Sequence, residues 1–244
     1  MRSIEVSPPV EQRGRGAWRW LVADPQHGVL PAVLLLMTGV TGVVDAVSIL
    51  SLGRVFVANM TGNIVFIGFA LAGAPGFSAA ASLFALAGFL VGALAGGTAI
   101  RRIEERRSVL LAGLAAELSL LSLALVVSLV TGPALTGGTI NVLAATVAIA
   151  MSIQNTVARR LAVPDLTTTV VTLTLTGLMA DRRSATTPGA TTRRGLSVVS
   201  MFGGAVVGAT IVLKSGPSAA LALAVGLLAA ATALAIMRTS RTPR

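Results

Sequence analysis

The chain has 244 residues, of which 54% are hydrophobic and only 11% are charged, and its formal net charge is +10. This composition excludes an ordinary soluble domain and predicts a multipass membrane protein. The arginines lie in short clusters between apolar runs, a pattern typical of the positive-inside rule rather than of nucleic-acid binding. The sequence has no cysteine, so disulfides, thiolate metal sites and cysteine nucleophiles are excluded.

A basic segment, 1–29, opens the chain, and we expect it to lie in the cytoplasm. It has no small-residue cleavage site before the first apolar run, so no removable signal peptide is expected. Eight apolar runs follow, at 30–52, 55–73, 78–100, 108–130, 138–158, 166–180, 195–213 and 218–237. A short tail, 238–244, is also expected in the cytoplasm.

The distribution of lysine and arginine favours six crossings over eight. Eight full spans with the N-terminus inside would place 11 cations inside and 8 outside, which fits the positive-inside rule poorly. If 55–73 and 166–180 instead enter and leave on one side, 17 cations lie inside and only Arg54 and Lys214 lie outside. The predicted fold is therefore an all-α membrane protein with six transmembrane helices and two re-entrant short helices.

Polar, glycine- or proline-containing stretches open both re-entrant segments. They are Val55-Phe-Val-Ala-Asn-Met-Thr-Gly-Asn63 and Val163-Pro-Asp-Leu-Thr-Thr-Thr169. Non-helical backbone at membrane depth is tolerated where protein or a water-filled cavity surrounds it. Two such breaks in corresponding positions predict a solute site between them.

An inverted repeat follows from the count of crossings. A cut near Thr131-Gly-Pro133 leaves two membrane repeats, 30–131 and 138–237, each with three crossings and one re-entrant element. An odd number of crossings inverts the second repeat relative to the first. Asp45 lies 14 residues before Asn59, and Asn155 lies 14 before Thr169. Four-residue glycine spacings in the third element of each half suit close packing or a sliding surface; they are Gly88, Gly92, Gly96, and Gly204, Gly208.

Three motifs resemble the bacterial YoaK family of membrane proteins. They are Thr41-Gly-Val-Val-Asp-Ala-Val-Ser48, the stretch Leu52-Gly-Arg-Val-Phe-Val-Ala-Asn-Met-Thr-Gly-Asn63, and Gln154-Asn155 with Val163-Pro-Asp-Leu-Thr-Thr-Thr169. The likeness extends over about residues 30 to 237. It implies a multipass bacterial inner-membrane protein, and it implies no particular activity.

The candidate site residues are polar groups at or near membrane depth. An intramembrane carboxylate is costly and by default suggests function, so Asp45 and Glu117 are the candidate proton-coupling residues. Either acid could instead serve structure: Asp45 by pinning the backbone around Asn59, and Glu117 by an interhelical hydrogen bond. The candidate substrate-binding residues are Asp45, Asn59, Thr61, Asn63, Gln154, Asn155, Asp165, Thr167, Thr168 and Thr169. These polar groups can replace a solute's hydration shell or only satisfy broken backbone, and Asp165 also suits a helix N-cap.

The predicted function is transport of a small polar or ionic solute, by a carrier or a channel, with proton coupling through Asp45. The alternative is a non-transporting membrane scaffold or sensor whose polar breaks are structural. An enzyme is not expected, since the sequence lacks a phosphate-binding loop, a metal-ligand cluster and a hydrolytic triad, and no cofactor or metal is predicted. The expected partners are the lipid bilayer and the solute, without nucleic acid, and an oligomer stays open because glycine faces also serve contacts between protomers. The expected location is the bacterial inner membrane, with both termini in the cytoplasm.

Overall fold

Seven α-helices account for most of the described part of the chain. The computed structural model describes residues 28–132, 135–162 and 190–239. In chain order the helices are α1 (Leu30–Ser51), α2 (Met60–Leu71), α3 (Ala79–Arg101), α4 (Arg106–Thr131), α5 (Gly137–Leu161), α6 (Ala190–Ser215) and α7 (Pro217–Thr239). The second predicted re-entrant segment, 166–180, lies outside the described residues, as do 1–27 and 240–244.

Six of these helices are candidate membrane spans. A bilayer core requires about 20 helical residues, and every helix except α2 is long and apolar enough to cross one. Helix α2 has 12 residues, so it is only about 18 Å long. For the described residues, the prediction of an all-helical protein is therefore confirmed, with six helices that are candidate spans.

Local sequence signals account for several helix ends. Pro31 lies in the first turn of α1, where the missing N–H removes no helical hydrogen bond. The Ser78 hydroxyl accepts a hydrogen bond of 3.1 Å from the Ala81 N–H at the start of α3, which is the usual N-cap arrangement. Gly132 follows α4 with φ of +73°, a conformation that glycine adopts readily.

The contacts between helix ends define two ends of the bundle. A methyl group added at Gly53, just after α1, would lie 3.4 Å from the Cβ atoms of Ser78 and Ala81 at the start of α3. Residues 54–77, including α2, therefore leave and return at the same end of the bundle. At the opposite end, which we call the arginine end, the Arg106 guanidinium at the start of α4 donates to the carbonyl of Leu161 at the end of α5.

Two pairs of helices pack in parallel through small residues. Gly88 and Gly92 of α3 lie against Ala145 and Ile149 of α5, with contacts to backbone atoms. In α6, Gly204 and Gly208 lie in the same way against Gly39 and Val43 of α1, again on the backbone. Small residues allow such close approach of helices in a membrane. The residue numbers rise together in both pairs, so each pair is parallel.

Helix α1 lies at the centre of the described bundle. It contacts α5, α6 and α7, and 14 of its 22 residues are buried, whereas most of the described side chains of α6 are not. The interior around it is built mainly from aliphatic side chains of α1, α4, α5 and α7. A polar side chain on α1 is consequently held away from lipid, and its neighbours are other parts of the protein.

Candidate functional site

Asp45 is buried on α1 and contacts the chain segment that returns into the bundle after that helix. Its side chain is 9% exposed, and its carboxylate accepts a hydrogen bond from the backbone N–H of Val57. Because Asp45 lies six residues before the end of α1, it is about 9 Å inside that end. The non-helical segment around Val57 therefore penetrates the bundle to the same depth.

The returning segment is buried, non-helical backbone. Val55 and Val57 are fully buried, and Ala58 is 7% exposed. Helix α2 begins after Asn59, whose side chain does not cap it. The non-helical backbone therefore ends at Asn59, because Thr61 and Asn63 are already in the first turn of α2.

Asn63 fastens α2 to the returning segment. Its amide nitrogen donates to the carbonyl oxygen of Phe56 at 2.6 Å, and its amide oxygen accepts from the Phe56 N–H at 2.8 Å. One buried side chain therefore satisfies both backbone polar groups of Phe56, a residue outside any helix. This is a structural use of Asn63, whereas Asn59 and Thr61 are exposed at the start of α2.

An aromatic cluster packs α2 against the segments before and after it, which we call the inward limb (54–59) and the outward limb (72–77). Phe66 of α2 stacks on Phe56 of the inward limb at 5.5 Å between ring centroids and lies 5.0 Å from Phe77 of the outward limb. The Arg54 guanidinium lies 5.9 Å from the centroid of the Phe77 ring, within the range of a cation–π interaction. Residues 54–77 consequently form one packed unit.

Gln154 of α5 reaches the same face of α1 as Asp45. Its amide nitrogen donates to the Thr41 hydroxyl at 2.8 Å, and Thr41 lies one helical turn before Asp45. All three residues are buried. We call Thr41, Asp45 and Gln154 the central polar cluster.

The cluster has two oxygen atoms without a hydrogen-bond partner among the described residues. They are Oδ1 of Asp45 and Oε1 of Gln154. A buried polar atom left unpaired is costly, so this pair of oxygens requires either a donor or a cation. That requirement makes the central polar cluster the candidate functional site.

Glu117 is a second buried acid, in the middle of α4. It is fully buried, and neither carboxylate oxygen has a hydrogen-bond partner among the described residues. Helix α4 packs against α5 and α7. The predicted interhelical hydrogen bond of Glu117 is absent from the part of the chain that the structure describes.

The structure thus brings together some of the predicted site residues. Asp45 and Gln154 meet at Thr41, and Asn59, Thr61 and Asn63 lie at the start of α2. Asn155 is partly buried on α5. The remaining candidates, namely Asp165, Thr167, Thr168 and Thr169, lie outside the described residues.

Two contributors were not among the predicted site residues. Thr41 had a usable signal, since it is a hydroxyl one turn from an intramembrane acid. Val57 had none, because an apolar residue that acts through its backbone N–H leaves no mark in a side-chain pattern. Across the described residues, no three His, Asp or Glu side chains group closely enough to hold a metal ion.

The fold and the buried polar cluster define a multipass helical membrane protein with six candidate spans. The chain belongs to the family described as "Protein of unknown function (DUF1275)", whose model matches residues 33–234. It is 33% identical over 151 residues to the UPF0700 transmembrane protein YoaK of Bacillus subtilis (strain 168). That alignment covers 61% of this chain and 65% of the relative, slightly less than two thirds of its length. The predicted resemblance to the YoaK family is therefore confirmed, and no solved structure matches the chain.

Proposed function

We propose that this protein moves a small polar or ionic solute across the bacterial inner membrane, as a carrier or a channel, and that Asp45 is its proton-linked group. The observation on which the proposal depends is the buried Asp45 carboxylate, which contacts non-helical backbone inside a membrane span and keeps one oxygen unpaired among the described residues. Glu117 would provide a second proton step. No enzymatic role is proposed.

The first support comes from the shape of residues 54–77, which suits a re-entrant element. Its inward limb is non-helical and reaches the level of Asp45, and the short helix α2 follows it. The exposed side chains of α2 are largely apolar, with Ile64 at 62% and Leu71 at 79% exposure. Such a surface suits hydrocarbon better than water. The Asn59–Thr61 end would then open towards the solute path.

The second support for transport is reciprocal packing between the two halves. Helix α3 of the first half packs on α5, the first helix of the second half, and α6 of the second half packs on α1. These contacts are related by exchanging the halves, so that α1 corresponds to α5, α3 to α6 and α4 to α7. The same exchange turns the contact α4–α5 into the contact α1–α7. A two-fold exchange of this kind is expected of an inverted repeat, and many secondary transporters have that design.

The glycine contacts give the register of the proposed repeat. In the α3–α5 pair, the glycines of α3 contact Ala145 and Ile149. In the α1–α6 pair, the glycines of α6 contact Gly39 and Val43 in the same order. Equivalent positions in α1 and α5 are therefore 106 residues apart. This register matches Asp45 with Met151 instead of Asn155. The repeats would then be alike in their packing and different in their chemistry, with the acid in the first half only.

The positive-inside rule gives the orientation that we propose. The arginine end carries Arg101 and Arg106 at the α3–α4 connection, and Arg159 and Arg160 at the end of α5. Cytoplasmic loops are enriched in such residues. The arginine end would face the cytoplasm, and both termini would lie on that side.

The scaffold or sensor alternative also has a specific observation in its favour. The bond from Val57 to Asp45, and the double bond from Asn63 to Phe56, both fix the returning segment in place. If fixing the backbone is the whole role of Asp45, a neutral amide that still accepts a hydrogen bond should replace it.

Reconstitution into proteoliposomes tests the proposal. We would measure charge movement on a solid-supported membrane, and lumenal pH with trapped pyranine, on addition of sodium, potassium, methylammonium, glycine or phosphate. The wild-type protein should produce currents or pH changes with at least one solute. Asp45→Asn should abolish the proton-linked signal, while Ser119→Ala, an exposed position on α4, should preserve it. Signals equal to those of protein-free liposomes for every solute would contradict transport of these classes and favour the scaffold.

A further inference from the structure

Three hydroxyl donors along the polar face of α1 are used within that helix. Thr38 donates to the carbonyl of Leu34, Thr41 to that of Met37, and Ser48 to that of Asp45, at 2.8–3.0 Å. These hydroxyls can therefore offer only lone pairs to a neighbour. The face is rich in acceptors and poor in donors.

The orientation of the Gln154 amide follows from this pattern. The hydroxyl proton of Thr41 is engaged by Met37, so Thr41 Oγ1 must accept from the amide nitrogen of Gln154. With the amide in this orientation, the carbonyl side of Gln154 is the free side. Its Oε1 atom is buried and has no partner among the described residues.

The two unpaired oxygens lie close to the same turn of α1. Cα–Cβ bonds in a helix lean towards its N-terminus, so the Asp45 side chain leans towards the turn that contains Thr41. The Gln154 amide is 2.8 Å from the Thr41 hydroxyl. Both side chains are therefore directed to the turn of α1 that contains Thr41, where a small donor or cation beside Thr41 Oγ1 would be within reach of oxygen from each of them.

The chemistry of the three oxygens selects a class of ligand. One carboxylate with two neutral oxygens compensates a single positive charge. A divalent ion such as Ca²⁺ takes six to eight oxygens, usually with several carboxylates, and transition metals favour imidazole or thiolate. A carboxylate and a few neutral oxygens can replace the hydration shell of a monovalent cation or of an ammonium group.

We propose that the central polar cluster is a binding site for a monovalent cationic group, either an alkali-metal ion or the ammonium group of a small solute. Oδ1 of Asp45, Oε1 of Gln154 and Oγ1 of Thr41 supply its oxygens. The site deepens the proposed function, on which it rests, by naming the charge of the species that binds at Asp45. The cation is a coupling ion if it is an alkali metal, and it is part of the solute if it is an ammonium group.

Equilibrium binding to the purified full-length protein tests this site. The probes are radiolabelled sodium, rubidium as a substitute for potassium, and methylammonium, each measured by scintillation proximity at one fixed alkaline pH. At least one probe should bind saturably to the wild type. Asp45→Asn, which keeps the shape and loses the charge, and Gln154→Met, which removes the oxygen, should each weaken binding by at least about tenfold. Glu104→Gln removes an exposed carboxylate far from the cluster and should leave binding unchanged.

A second measurement does not depend on variants that fold. The same chloride salts should raise the unfolding temperature of the wild type above that in N-methylglucamine chloride of equal ionic strength, since a ligand that binds the folded state stabilises it. If no probe binds and no salt differs from N-methylglucamine, only a proton fills the pair of oxygens and the inference is wrong. Binding that persists in Asp45→Asn would also overturn it.

The outcomes separate this inference from the proposed function. Cation binding that depends on Asp45, without flux of any solute, would support the site and contradict transport. Flux of glycine or phosphate that depends on Asp45, without cation binding, would support transport and contradict the site. Selective binding of methylammonium would identify the solute's ammonium group, and selective binding of sodium or rubidium would identify a coupling ion.

Discussion

Substitution of Gly204 by alanine should separate α6 from α1 and destabilise the protein. A Cβ atom at position 204 would overlap the carbonyl oxygen of Gly39 and lie 3.2 Å from its Cα. Both atoms belong to backbone, so no side-chain rotation can relieve the overlap and the helices must move apart. Overpacking of this kind costs about 1–3 kcal/mol. For a chain of this size, that cost lowers the unfolding temperature by roughly 2–12 °C.

The neighbouring residue provides a matched control on the same helix. A Cβ atom at Gly203 would have nothing within 4 Å, and alanine is favoured over glycine in a helix interior by about 1 kcal/mol. Gly203→Ala should therefore leave the unfolding temperature unchanged or raise it slightly. Helical circular dichroism at 222 nm, followed during heating in detergent, measures both variants. Equal unfolding temperatures for the two alanine variants would refute the parallel packing of α6 on α1.

Three further predictions concern orientation and the candidate site. With no native cysteine in the chain, an impermeant thiol reagent added to cells should label Lys214→Cys and not Arg102→Cys; the reverse labelling would contradict the proposed orientation. Asn63→Leu should leave both polar groups of buried backbone unpaired and lower the free energy of unfolding by about 2 kcal/mol or more, whereas exposed Thr61→Ala should change it little in the same thermal assay. Asp45→Leu should cost about 1–3 kcal/mol because the Val57 N–H loses its acceptor; a smaller loss than for Asp45→Asn would show that this hydrogen bond stabilises nothing.

Close approach of helices is only partly readable from the glycine spacing. The four-residue spacing of Gly88 and Gly92 marked a face that could touch another helix, but it did not say which one. The structure places that face on α5 of the other half of the chain, in parallel. Pairing between distant helices depends on how all the faces fit at once, and a local pattern contains no such information.

The sequence by itself predicted the class of protein, the six helices that are candidate spans, and the two intramembrane acids that prove to be buried. These features follow from local quantities: the length and hydropathy of each run, the positions of arginine, and the rarity of a carboxylate within an apolar helix. Asp45 and Glu117 were candidates for that reason. Each of these signals is read along the linear sequence, and the choice of six crossings uses the lysines and arginines of the whole chain. No knowledge of how the helices pack was needed.

Only the tertiary structure decided what those polar groups contact. Asp45 accepts a hydrogen bond from the backbone of Val57, and Gln154 donates to Thr41 across 113 positions of sequence. The tertiary structure also decided that Asn63 forms hydrogen bonds with the backbone of Phe56. One oxygen of Asp45 and one of Gln154 have no hydrogen-bond partner among the described residues. Hydrogen bonding depends on atoms within about 3 Å in space. Which atoms meet at that distance is set by the packing of whole helices, because a side chain's type fixes what it can donate or accept and not where its partner lies.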